Sequence, residues 1–210
     1  MTDVYEFMGA SSLVPVVVIE NPADADALGS ALEDGGLPSA EITLRTPGAL
    51  TVIRELAERP GFVVGAGTVV RPKQVDDAVA AGASYIVSPG FSADVARECA
   101  IQRVPLIPGT VTATEIQMAL DAGIEVMKFF PAGASGGAPV IKALSAPFPN
   151  VRFVPTGGIT LDTLPDYLRI PAVLAVGGTW IAPRDIIAAQ SFKEITQRVR
   201  EALAVVEENK

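Results

Sequence analysis

The sequence contains no histidine. That excludes Ser-His-Asp triads, Cys-His dyads and histidine-based metal sites together. Acid–base work is left to Glu, Asp, Lys, Tyr or water. A single cysteine, Cys99, cannot form an internal disulfide, and a cytoplasmic location is the expectation. The longest unbroken apolar run, Leu13 to Ile19, falls well short of the ~18 residues that span a bilayer. The N-terminal MTDVYEFMGASS lacks a basic region followed by a long apolar one, so no signal peptide is expected. No basic cluster occurs, and the net charge is −8 with a pI near 4.6. Nucleic acid and anionic membranes are therefore not expected partners. An anionic substrate would have to be held by local donors.

What is present is a globular chain of 210 residues, 49% apolar and 19% charged. Short apolar segments alternate with helical ones. Candidate strands are Val14–Ile19, Ala40–Leu44, Phe62–Ala66, Tyr85–Ser88, Pro105–Pro108, Val126–Phe129, Phe153–Pro155 and Val173–Val176. Three intervening helices end on glycine, at Gly35–Gly36, Gly82 and Gly123, where the left-handed conformation closes a helix. Such alternation predicts either a closed (β/α)8 barrel or an open doubly wound sheet. No GxGxxG follows the first strand and no GxxxxGK[ST] occurs, which weakens the open nucleotide-binding sheet. No linker or low-complexity segment divides residues 1–210, so one domain is expected, closed by an amphipathic helix over Phe192 to Glu208.

One residue stands out against this background. The chain has five lysines, and one of them, Lys128, lies inside the apolar stretch EVMKFFPAG. A buried ammonium either finds a partner or gives up its proton, and a lysine that gives it up is a nucleophile. Strand alternation puts Lys128 on one face and Met127 and Phe129 on the other. An edge lysine reaching solvent along its apolar stem is the bland alternative. In AEITLRTP the same alternation turns Glu41, Thr43 and Arg45 toward the barrel interior and Ile42 and Leu44 toward the helices. Glu41 and Arg45 then form either a structural ion pair or part of a site.

Two glycine pairs, Gly157–Gly158 after Thr156 and Gly177–Gly178 before Thr179, end the late strands. Barrels of this class frequently bind phosphate there through loop amides. Gly65 to Val69 and Val87 to Gly90 also end strands, bringing Thr68 and Pro89 to the same mouth, although simple tight turns explain them equally well. Cys99 and Trp180 read as core or pocket wall. The carboxylates are scattered, and no preassembled metal cage is visible.

The segments GGLPSAEITLRTPGAL, VGAGTV, YIVSPG, PLIPGTVTATE, KFFPA, PTGGI and GGTW occur in an order and spacing that closely resembles the 2-keto-3-deoxy-6-phosphogluconate (KDPG) aldolases. Some members of that family also cleave 4-hydroxy-2-oxoglutarate (KHG). The resemblance runs from about Leu13 to Pro183, and EITLRT combined with KFFPA is its most specific part. It implies a single (β/α)8 TIM barrel, usually a homotrimer, acting on a 2-keto sugar acid as a class I aldolase with no metal or other cofactor. It places the Schiff base at Lys128 and the general acid/base at Glu41. Arg45 and Thr68 would hold the substrate carboxylate, Pro89 and Phe130 would shape the pocket, and Thr156 would lie beside them. Phosphate would fall to Gly157, Gly158, Gly178 and Thr179. Many members carry serine where this chain has Thr179; a hydroxyl remains, with an extra methyl. The N-terminal dozen residues match poorly. KHG or the galactonate epimer of KDPG remain alternative substrates, and a phosphate-binding barrel isomerase with Glu41 as base is an alternative of another class.

Overall fold

The β-branched and small apolar residues of the short runs form eight parallel strands in the computed structural model, which describes residues 3–209. They are β1 (Leu13–Val17), β2 (Ser39–Thr43), β3 (Val63–Gly67), β4 (Tyr85–Ser88), β5 (Leu106–Thr110), β6 (Val126–Phe129), β7 (Arg152–Pro155) and β8 (Val176–Gly178). The helices are α1 (Val4–Ser11), α2 (Ala25–Gly35), α3 (Ala49–Ala57), α4 (Pro72–Ala80), α5 (Ala93–Gln102), α6 (Ala113–Asp121), α7 (Gly137–Ser145), α8 (Leu164–Leu168), α9 (Arg184–Ala188) and α10 (Phe192–Glu208). Each of β1 to β6 pairs with the next strand in sequence, and β8 pairs with β1. Two parallel bridges, Phe153 to Val173 and Thr156 to Gly177, close the ring between β7 and β8. The fold is a (β/α)8 TIM barrel.

Alternation along the strands sorts the core into two parts. Ala40, Ile42, Val64, Ala66, Ile86, Met127, Phe129 and Phe153 face outward into the layer shared with the helices. Val14, Val63, Tyr85, Val87, Ile107, Val126, Val154 and Ala175 face inward, joined there by Val4 and Met8 of α1. The N-terminal segment, given no role by the sequence, has a structural one: α1 packs against the barrel interior. Asp3 caps it, accepting from the Tyr5 amide at 2.8 Å.

Gly36, Gly82 and Gly123 all take positive φ, as the glycine-ended helices require. The closing helix spans the residues its periodicity marks. It packs on α2 so closely that a Cβ on Gly35 would meet Val199. The last strand departs from expectation. The run Val173–Val176 makes only a single bridge to β7, at Val173. The ladder to β1 instead pairs Leu13 with Val176, Val14 with Gly177 and Pro15 with Gly178. Hydrophobicity marks a run of which Val173 and Leu174 are only partly buried, whereas β8 is defined by backbone partners that glycine supplies as well as valine does.

Candidate active site

β2 and β6 lie across the barrel from one another in the strand order. Each sends one long inward side chain to the centre. Lys128 Nζ donates to Glu41 Oε1 at 3.1 Å, joining residues 87 apart in sequence. The lysine side chain is 8% exposed and the glutamate side chain 4%. Taking both charges out of water costs several kcal/mol each, which their mutual attraction must offset. Nζ also lies 5.2 Å above the centroid of the Phe130 ring, within cation–π range. Lys128 is therefore no edge lysine: its stem does not carry the ammonium out to solvent.

The partner differs from the one the strand pattern suggests. β2 ends at Thr43, the chain turns as the Arg45 amide donates to the Thr43 carbonyl, and Arg45 lies exposed at the rim. The buried ion pair of Glu41 is with Lys128 and not with Arg45. Strand alternation cannot carry past the end of a strand. Thr43 does face inward, donating to the Val17 carbonyl at 3.0 Å. At the rim Arg45 Nε donates to Thr68 Oγ1 at 3.2 Å, with Thr68 held at φ 60° just past β3.

Room for the pair comes from glycines at inward positions. Gly109 is the register partner of Lys128 on β5. A Cβ on Gly67 would lie 2.7 Å from Glu41 Cγ and closer still to Oε1. A Cβ on Gly177 would lie 3.1 Å from Thr156 Cβ and closer to its hydroxyl. Gly65 and Gly67 therefore serve inside β3 and are not a turn, and Gly177 and Gly178 lie within β8. The spacing of two glycines two residues apart is visible in VGAGTV, but its meaning requires knowing which strands adjoin.

The remaining candidates sit at the same end of the barrel. Thr156 is buried just past β7, its hydroxyl donating to the Val154 carbonyl at 3.3 Å. Gly157 and Gly158 follow with φ of 95° and 75°, a conformation that excludes most other residues. Their loop is tied to the one after β6: Ala132 donates to the Thr156 carbonyl at 2.8 Å and Gly133 to the Gly157 carbonyl at 2.9 Å. The Phe130 ring lies against Gly157, 3.3 Å from where its Cβ would be. Pro89 is exposed, and its carbonyl lies against Gly109 where a Cβ would project. Ser88 Oγ pins that loop by donating to the Gly90 carbonyl at 2.8 Å. Thr179 is exposed beyond β8. Gly178 has a packing reason as well, since the Trp180 indole occupies the space a Cβ would take. Cys99 is buried on α5, as expected of a small hydrophobe in a helix; burial and the neighbouring Glu98 push its thiol up to about 12.

A buried amine, a carboxylate in hydrogen-bond contact with it and an aromatic wall can form and process a covalent adduct with a carbonyl compound. Comparison with known proteins bears on that capability. The family model described as "Aldolase: KDPG and KHG aldolase" matches residues 4–198. A 2-dehydro-3-deoxy-phosphogluconate aldolase of Pseudomonas aeruginosa is 44% identical over 192 residues, 91% of this chain and 87% of that protein. The KDPG aldolase of Legionella pneumophila, solved with pyruvate captured at low pH as a covalent carbinolamine intermediate, is 40% identical with a TM-score of 0.91. It spans 95% of this chain and 97% of its own. The 2-keto-3-deoxy-6-phosphogluconate aldolase of Zymomonas mobilis ZM4, solved with 3-phosphoglycerate, is 43% identical with a TM-score of 0.89, spanning 96% and 95%.

Proposed function

Because this chain belongs to the KDPG and KHG aldolase family, we propose that it is an aldehyde-lyase cleaving 2-keto-3-deoxy-6-phosphogluconate to pyruvate and glyceraldehyde 3-phosphate through a Schiff base on Lys128. The observation that carries this reading is the contact of Lys128 Nζ with Glu41 at 3.1 Å inside the barrel. The capture of pyruvate as a carbinolamine in the Legionella relative supports it.

Glu41 takes the ammonium proton of Lys128, and the free amine adds to the C2 carbonyl carbon of the substrate. Glu41 returns that proton to the carbinolamine hydroxyl, which leaves as water to give an iminium and restores the Glu41 carboxylate. Glu41 then removes the C4 hydroxyl proton, the C3–C4 bond breaks, and its electron pair moves into the iminium to give an enamine. The aldehyde leaves. The enamine is protonated at C3, and water hydrolyses the resulting iminium to pyruvate and the free lysine. The iminium performs the polarisation that a Lewis acid supplies in other aldolases, so the scheme calls for no metal or other cofactor.

Arg45 and Thr68, already hydrogen-bonded at the rim, hold the substrate carboxylate in this scheme. Pro89, Phe130 and Thr156 line the pyruvyl pocket. Gly157, Gly158, Gly178 and Thr179 receive the phosphate, the glycines by leaving backbone amides open and Thr179 by its hydroxyl. A homotrimer in the cytoplasm is the assembly and location in keeping with the family resemblance. Among the described residues no helix is long and apolar enough to cross a membrane.

The test is borohydride reduction with pyruvate, followed by peptide mass. A single pyruvate-sized adduct on the Lys128 peptide, absent from Lys128→Met, is expected. A folded wild-type protein that gives no adduct would refute the reading in favour of a non-covalent isomerase. Cleavage rates on KDPG, its galactonate epimer and KHG then rank the substrates, with KDPG expected first.

A further inference from the structure

Beside Glu41 the barrel buries two hydroxyls, Ser39 Oγ and Tyr85 Oη, that have no hydrogen-bond partner among the described residues. Ser39 is 3% exposed and Tyr85 is 1% exposed. Buried hydroxyls are ordinarily satisfied, so two orphans on one wall call for a partner. Both occupy inward positions: Ser39 two residues before Glu41 on β2, and Tyr85 at the start of β4.

The strand register brings them together. Glu41 pairs with Gly65, and Gly65 pairs with Tyr85, across β2, β3 and β4. Gly65 has no side chain, and the tyrosine ring fills the space. A Cβ on Gly65 would lie 2.5 Å from Tyr85 Cε1 and closer still to Cζ. The ring therefore lies across β3, and its oxygen, one bond beyond Cζ, continues toward β2, where Glu41 and Ser39 project. Burial first and the charge of Glu41 second raise the phenol well above its ordinary value, so it remains a protonated donor. A phenylalanine would fill the same volume without a hydroxyl to desolvate. Packing alone gives no reason for the hydroxyl.

We propose that Tyr85 and Ser39 are positioning residues for Glu41, joined to its carboxylate through one buried water. Tyr85 donates to the water, the water donates to Glu41, and Ser39 completes its shell, since buried waters make about three hydrogen bonds. The link steadies the carboxylate while Lys128 holds its other side. This inference rests on the reading of Glu41 as the proton carrier.

The test isolates proton transfer from cleavage. An aldolase of this kind exchanges the methyl protons of pyruvate with solvent through the enamine, which proton NMR in D2O follows directly. Wild type, Tyr85→Phe, Ser39→Ala and the double variant are compared at saturating pyruvate, alongside borohydride trapping and thermal unfolding. The expected result is full trapping in all four, with half-saturation by pyruvate unchanged. Exchange falls about tenfold in Tyr85→Phe, the upper scale of one neutral hydrogen bond, and less in Ser39→Ala. The double variant is no slower than Tyr85→Phe, because both hydroxyls serve one water. Full trapping with wild-type exchange in Tyr85→Phe overturns the inference and leaves the aldolase reading standing. Losses that multiply in the double variant overturn the shared water. Failure of the wild type to trap pyruvate sinks the aldolase reading and this inference with it.

Discussion

Gly67→Ala asks whether the position of Glu41 limits the rate. The backbone at Gly67 is not among those with positive φ, so alanine fits the local conformation. The new methyl would stand 2.7 Å from Glu41 Cγ and 2.9 Å from Cδ. Ordinary carbon–carbon contacts are ~3.5 Å or more, so the carboxylate must move by about 1 Å. The methyl projects into the side of the glutamate that meets Lys128, so the movement disturbs the 3.1 Å contact. A misplacement of ~1 Å at a reacting group costs about a hundredfold in rate, or ~2.7 kcal/mol of transition-state stabilisation. Stability should change little by comparison, because removing glycine from the unfolded chain contributes ~0.4 to 1 kcal/mol against the strain of moving the side chain. The assay is pyruvate release coupled to lactate dehydrogenase, with thermal unfolding as control. Gly65→Ala is the contrast: its methyl meets the tyrosine ring, which cannot swing aside as a carboxylate can, so folding should suffer first. A folded Gly67→Ala protein with wild-type kcat would refute the argument that this glycine sets the place of Glu41.

Lys128→Met should abolish turnover and lower stability by ~3 to 5 kcal/mol, because Glu41 is left buried and unpaired. Adding Glu41→Gln should restore much of that loss in denaturant titration without restoring activity. Arg45→Ala should raise KM about ten- to a hundredfold, the scale of a charge-assisted hydrogen bond to the substrate carboxylate. It should do so with no change in melting temperature, since the side chain is exposed. The Cys99 thiol, pushed up to about 12, should resist a disulfide reagent at pH 8 in the native protein and react fully once unfolded. Rapid native labelling would contradict its burial.

Much of this protein was legible before folding was considered, because much of it is local. The closing helix Phe192–Glu208 follows from apolar periodicity, and Gly36, Gly82 and Gly123 end helices wherever the chain needs positive φ. The inward turn of Glu41 and Lys128 follows from a period of two, which any strand imposes. The absence of histidine confined proton transfer to a few residue types. Other features depend on neighbours that no local pattern contains. Arg45 breaks the alternation because β2 stops at Thr43, and a strand stops where its ladder stops. Gly177 and Gly178 form a strand because β1 pairs with them, although nothing in two glycines signals one. Gly65 and Gly67 resemble a turn until Tyr85 and Glu41 are seen to occupy their missing side chains. Sequence alone therefore determined the period of each element and the chemistry each could present. Only closure of the barrel decided that a glutamate on β2 and a lysine 87 residues later would meet at its centre. Such a contact is set by the order of strands around a ring, and strand order is a property of the whole sheet.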